Sequence, residues 1–149
     1  MLCCGFQEVK ITPPLHLSLP GYFENRLSTG VKDDVYAKAM VLISESTNLC
    51  VITLDAIGIS GQDVRTIRKL IQERIPIPEE NIMVAATHTH TGPPLADTFQ
   101  NQRDDAYCSF LFQKITDAAC RAYKSRKRCQ IGLGRGEEKE ISFNRRYFM

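Results

Sequence analysis

Two apolar runs with a helical repeat between them constrain this chain more than any other feature. Leu49-Cys-Val-Ile-Thr-Leu-Asp-Ala56 and Ile82-Met-Val-Ala-Ala86 are short and almost unbroken, the pattern of buried strands. Between them Val64, Ile67, Leu70, Ile71 and Ile75 recur at helical spacing. Ser60-Gly-Gln-Asp63 supplies a capping-box-like start, and Pro76 and Pro78 supply the stop. Strand, helix and strand in that order make a right-handed βαβ crossover with two parallel strands.

The second run continues into Thr87-His88-Thr89-His90 and then Gly92-Pro93-Pro94. Side chains alternate along a strand, so residues i and i+2 leave on one side. That places both imidazoles together at the strand end, where neutral histidine is suited to ligate a metal or to move a proton. Sites in open α/β sheets form beyond the carboxyl ends of parallel strands. Asp55 ends the first of these strands and so belongs to the same edge. It either orients an imidazole by accepting its N–H or caps the loop before the helix.

The flanking sequence extends this unit. Gln7 to Ile11 alternates weakly up to Thr12-Pro13-Pro14, a short first strand and a stop. Residues 13–34 read as a long ordered loop, a kind of segment that often carries function. Val35 to Ser44 reads as another strand. Asp104 to about Lys124 is a second amphipathic helix, burying Ala106, Phe110, Leu111, Ile115, Ala118, Ala119 and Ala122. Cys129 to Leu133 is expected to be a further short strand, followed by a Gly-rich turn. The fold class is therefore α/β: a mixed sheet with at least one right-handed βαβ unit and two main helices.

At 149 residues the chain is one domain's worth of polypeptide. A formal charge of +2 argues against nucleic acid or an anionic membrane as partner. The basic residues Arg121, Lys124, Arg126, Lys127 and Arg128 close the second helix, where cations complement the helix dipole. Six cysteines show no zinc-finger spacing and read as reduced thiols. No signal-like or transmembrane stretch stands out, so a cytoplasmic location is expected.

Four segments, in order, resemble the N-terminal part of the neutral/alkaline non-lysosomal ceramidases, zinc-dependent amidases that split the N-acyl bond of ceramide. Val9-Lys-Ile-Thr-Pro-Pro14 is similar to the family's opening strand and stop, and Gly21-Tyr22 to its early Gly-Tyr turn. Ala85-Ala-Thr-His-Thr-His-Thr-Gly-Pro93 is close to the signature T-H-T-H-S-G-P, and Ser142-Phe-Asn-Arg145 resembles a later Asn-Arg segment. The resemblance implies that His88 is a zinc ligand and that His90 faces the substrate amide. It further implies that Arg145 grips the amide or carboxylate group. The implied cofactor is zinc, and the implied partner is a small-molecule or lipid N-acyl amide.

The pattern departs in two places. Pro94-Leu95 stands where the family has Gly-Gly, and the family's remaining ligands (a second His, a Glu and a Tyr) come from farther downstream. Residues 1–149 are accordingly expected to be a single, truncated N-terminal part of a larger α/β catalytic domain. Asp55 or Asp97 is then the local candidate for a third ligand, while His16 matches none. The competing reading is an inactive α/β fragment or binding module with an incomplete metal site. Other hydrolases fit less well. Thr91-Gly92 stands where metallo-β-lactamase-like enzymes carry Asp-His, and a whole βαβ unit precedes the histidines, unlike amidohydrolase barrels. A cysteine hydrolase built on Cys50 or Cys108 with His88 lacks a local signature. Gly132-Leu-Gly-Arg-Gly136 lacks the ending of a phosphate loop. Oligomeric state is not encoded in these patterns.

Overall fold

The expected βαβ unit forms as β3 (Asn48–Leu54), α1 (Gly61–Gln72) and β4 (Ile82–Ala86), with β3 and β4 parallel. The structure, a computed structural model, describes residues 1–141 and residue 146. β1 (Cys3–Lys10) and β2 (Tyr36–Ile43) precede this unit; α2 (Asp105–Ser125) and the two-residue β5 (Lys127–Arg128) follow it. A turn of 3-10 helix at Glu79–Asn81 leads into β4. The sheet order is β4-β3-β2-β1-β5, antiparallel except for the β3–β4 pair.

One face of the sheet carries the core. Alternation turns Ala37, Ala39 and Val41 of β2 and Cys50, Ile52 and Leu54 of β3 inward. Ile67 and Ile71 of α1, with Leu111, Ile115, Ala118, Ala119 and Ala122 of α2, join them in one buried cluster. Small residues let α2 lie close to the sheet, and Gly5 of β1 is the tightest point. A Cβ built there would sit 1.9 Å from the Ala122 carbonyl oxygen. Among the described residues no helix lies on the opposite face, whose side chains include Phe6 and Met83, 67% and 54% exposed.

Three expectations change. β1 begins at Cys3 rather than Gln7, because Cys3-Cys4-Gly5 carries no alternation signal yet pairs fully with Ile43, Leu42 and Val41. The last strand is Lys127–Arg128, opposite Cys4 and Cys3, and not Cys129–Leu133. Cys129 still donates its N–H to the Leu2 carbonyl, but the chain then leaves the sheet and Leu133 is 97% exposed. In α2 the buried stripe runs through Tyr107, Cys108, Leu111 and Phe112, leaving Ala106 and Phe110 outside. Lys114 covers the Phe110 ring at 5.2 Å.

Polar groups pin the helix starts. Ser60 accepts the Asp63 N–H, and Asp104 accepts the Tyr107 N–H. Asp63 is itself buried and takes a two-pronged ion pair from Arg103, Nη1 to Oδ2 at 2.6 Å and Nη2 to Oδ1 at 3.0 Å. Arg103 also donates to the Leu95 carbonyl, so the loop before α2 is tied to the start of α1.

Burial opposes ionisation of Asp63, but hydrogen bonds from Arg103 and Ser60 outweigh it and hold the carboxyl below its usual range. A depressed folded-state value contributes stability above the unfolded value of about 3.9 and loses it as pH falls through the folded one. The urea midpoint should be flat from about pH 7 to 5 and drop below about pH 4. Asp63→Asn should reduce stability at neutral pH by about 3 kcal/mol and flatten that acid-side fall.

The close approach of α2 gives a second expectation. Gly5→Ala should destabilise by about 2 kcal/mol or more, because backbone has to move. Gly58→Ala, where a Cβ meets nothing within 4 Å, should be neutral to slightly stabilising in the same urea titrations.

Candidate metal centre and hydrolytic site

The β3–β4 pairing delivers two chain segments to one edge. Thr87 continues the ladder for one more bond, its N–H donating to the Leu54 carbonyl at 2.9 Å. The backbone then turns sharply, since His88 takes a φ of +65°, a left-handed conformation seldom used by non-glycine residues. Strand alternation therefore does not bring the two imidazoles together, as the sequence pattern implied. The turn does. The result is close: His88 Nε2 and His90 Nε2 lie 3.3 Å apart, with the rings nearly perpendicular at 85°.

Each ring is fixed by its other nitrogen. His88 Nδ1 lies 2.7 Å from the Ile57 carbonyl oxygen, and His90 Nδ1 lies 3.0 Å from the Gly21 carbonyl oxygen. A carbonyl can only accept, so both Nδ1 atoms carry the proton and donate it. In the neutral form of each ring Nε2 then carries the lone pair, and the two converge on one exposed position. Converging lone pairs are favourable only with a proton or a cation between them.

The loop of residues 13–34 builds the wall beside His90. His16 and Leu19 pair with Ser28 and Arg26 through the backbone, bringing Gly21 to the tip. Gly21 has a φ of +105°, and a Cβ there would lie 2.5 Å from His90 Nδ1 and 2.7 Å from Ile57 Cδ1. Only glycine suits that position. The Tyr22 ring meets His90 edge-on at 6.0 Å, and the Arg26 guanidinium stacks on Tyr22 at 3.5 Å. Arg26 Nη2 reaches the His90 carbonyl at 3.4 Å. Buried Asn101 holds the tip from below, donating to the Tyr22 carbonyl and accepting from the Ser18 hydroxyl.

The other expected residues have different places. Asp55 shares the edge but bonds neither imidazole; it accepts the Tyr36 N–H at 2.9 Å and the Thr87 hydroxyl at 3.4 Å. It fastens β2 and the exit of β4 to the end of β3. Asp97 accepts the Arg103 N–H within its own loop. His16, also at positive φ, is exposed on the hairpin and hydrogen-bonds through its backbone to Ser28. Pro94 and Leu95 are buried. Arg145, with the rest of the Ser142–Arg145 segment, lies outside the described residues. Ile57 and Asn101 escaped the sequence reading, because a backbone acceptor leaves no signature and a lone Asn in a loop has many roles.

Two chemistries can now be weighed. A nucleophilic cysteine is disfavoured: burial, with Cys120 adding, pushes the Cys50 thiol up to about 12, and burial pushes Cys108 up to about 11. The imidazole pair does suit a metal. With Zn–N bonds of ~2.0–2.1 Å, a tetrahedral ion sets its nitrogens ~3.3–3.4 Å apart, which matches the observed Nε2 separation. The donor set is nevertheless short. Among the described residues no group of three or more His, Cys, Asp or Glu could hold a metal ion, so the pair provides two ligands. A cavity of about 670 Å³ lies on the other side of the histidine segment, lined by Thr89, Thr91, Asp55 and the loop from Thr12 to Val35.

No family model and no curated protein sequence matches the chain. Solved structures do. The neutral ceramidase from Pseudomonas aeruginosa superposes with a TM-score of 0.72 at 21% identity over 85% of this chain. A ceramidase complexed with C2 gives a TM-score of 0.67, also at 21% identity and 85% coverage. The matched region is 22% of each of those chains, so this chain spans about a fifth of their length. The described residues therefore have a neutral ceramidase-like α/β fold.

Proposed function

We propose that this chain forms part of a zinc-dependent amide hydrolase acting on a lipid N-acyl amide, with the site at His88 and His90. The observation that carries the reading is the convergence of two Nε2 atoms at 3.3 Å, each ring held through its Nδ1 by a backbone carbonyl. His88 would hold the metal through Nε2, with the Ile57 carbonyl setting its tautomer. Zinc, when bound, supplies Lewis acidity toward an amide carbonyl and acidifies water. His90 either completes the pair of zinc ligands or, left off the metal, faces the scissile amide as the resemblance implies, where its Nε2 would accept the proton released as water adds to the carbonyl. The Gly21 carbonyl stabilises the imidazolium that results, since Nδ1–H stays bonded throughout. Arg145, from the resemblance alone, grips the amide or carboxylate group. The likeness to ceramidases supports this reading through the fold.

A second reading rests on the two-ligand count: a non-catalytic α/β module whose metal site is incomplete. Zinc titration calorimetry on the 149-residue chain separates them. One zinc per chain, weakened at least tenfold in His88→Ala, supports the metal site, and hydrolysis of N-acyl amides would support the enzyme. Zinc binding unchanged in His88→Ala and His90→Ala would refute both placements.

The wall beside His90 makes a further expectation. Gly21→Ala should weaken zinc binding several-fold while leaving the core folded. Nitrogen NMR of the histidine ring should show His90 losing its fixed Nδ1–H tautomer. A His90 ring signal identical to wild type would mean that the loop tip does not set the tautomer.

A further inference from the structure

We propose that Asn101 is a positioning residue for His90, fixing the imidazole through the tip of the 13–34 loop. Its importance for chemistry rests on the reading of His90 as a site residue; the ring geometry itself does not. Asn101 is only 2% exposed. Its amide nitrogen donates to the Tyr22 and Thr98 carbonyls, each at 3.2 Å. Both partners can only accept, so the amide fits in one orientation, with Oδ1 turned to the Ser18 hydroxyl at 2.9 Å. Ser18 has one proton and also lies 2.5 Å from Asn25 Oδ1. Asn25 is exposed and can turn its amide over to donate to the hydroxyl, which leaves the proton to Asn101.

The tip needs such a holder because glycine is its joint. The missing Cβ lets Gly21 fit beside His90, and it also gives the chain freedom to swing there. The backbone pairing of the hairpin ends at Leu19 and Arg26, below the tip. Arg26 stacks on the Tyr22 ring, which leaves the Tyr22 backbone to Asn101. With that bond gone, the tip can rotate about Gly21 and carry the Gly21 carbonyl away from His90 Nδ1. A ring without an acceptor at Nδ1 has no reason to keep its proton there, and its two neutral forms interchange.

Asn101 is itself seated on the core. It closes a two-residue turn with Thr98, the two backbones exchanging bonds of 2.9 and 3.1 Å. Phe99 inside the turn takes a φ of +52°, a conformation that a bulky residue adopts only where its surroundings impose it. The base of the turn is pinned by Arg103, whose N–H goes to Asp97 and whose guanidinium goes to buried Asp63 at the start of α1.

Ring-nitrogen NMR on the metal-free 149-residue chain reads this without zinc or substrate, so its outcome is separate from that of the hydrolase reading. In the wild type both neutral rings should be in the Nδ1–H form. Asn101→Ala should turn His90 into a mixture of the two neutral forms. His88, held by the Ile57 carbonyl, should stay as it was and serves as the internal control. If Asn101→Ala does not fold, Ser18→Ala removes only the hydroxyl behind Oδ1 and should move the same His90 signal, by a smaller amount. An unmoved His90 in folded Asn101→Ala, or in Ser18→Ala where the first variant does not fold, would overturn the proposal. So would His88 and His90 changing together, the mark of a general loosening, or a wild-type His90 with no preferred form.

Discussion

The parallel pairing of β3 with β4 is the contact on which everything else in this molecule depends. Parallel neighbours need a crossover, and α1 provides it while burying Ile67 and Ile71 over the pair. The same arrangement forces two strand ends to open at one edge. Ile57 leaves from one end and His88 from the other, close enough for a 2.7 Å bond between a ring nitrogen and a carbonyl. The Asp55 carboxylate strengthens this edge by holding the start of β2 and the Thr87 hydroxyl. The candidate chemistry is therefore a by-product of topology before it is a matter of side chains.

What distinguishes the edge from an ordinary strand terminus is control of protonation through backbone oxygens. A carboxylate partner would bring negative charge beside the pair. Carbonyl partners orient the rings and leave the site without added charge. The cost lies in the backbone: a left-handed residue at His88 and another positive φ at Gly21, both held by the surrounding hydrogen bonds.

Much of this was readable from the chain. Residues 49–88 announced themselves because their periods change cleanly from strand to helix to strand, and His88 and His90 stood out by spacing and by their Gly-Pro stop. The two rings do lie together, yet not by strand alternation, since β4 ends at Ala86 and the turn at His88 does the converging. Asp55 looked like the partner of an imidazole because it is an acid in the right place. Backbone carbonyls took that role instead, and they are invisible in a sequence. The edges of the sheet were also hard to read. Cys3 and Cys4 lack a pattern, and Ile131 and Leu133 have the pattern without a partner strand. The stripe on α2 was shifted because Tyr107 and Cys108 looked less apolar than Phe110.

The bond from His90 to the Gly21 carbonyl joins residues 69 positions apart in the chain. Closing a loop of that length costs chain entropy, and the contact is held from both sides: His16 and Leu19 pair with Ser28 and Arg26, and Asn101 donates to the Tyr22 carbonyl beneath the tip. Which nitrogen His90 turns outward is thus decided by a distant loop and not by the strand that carries the ring, so a change in that loop reaches the imidazole without touching its own segment.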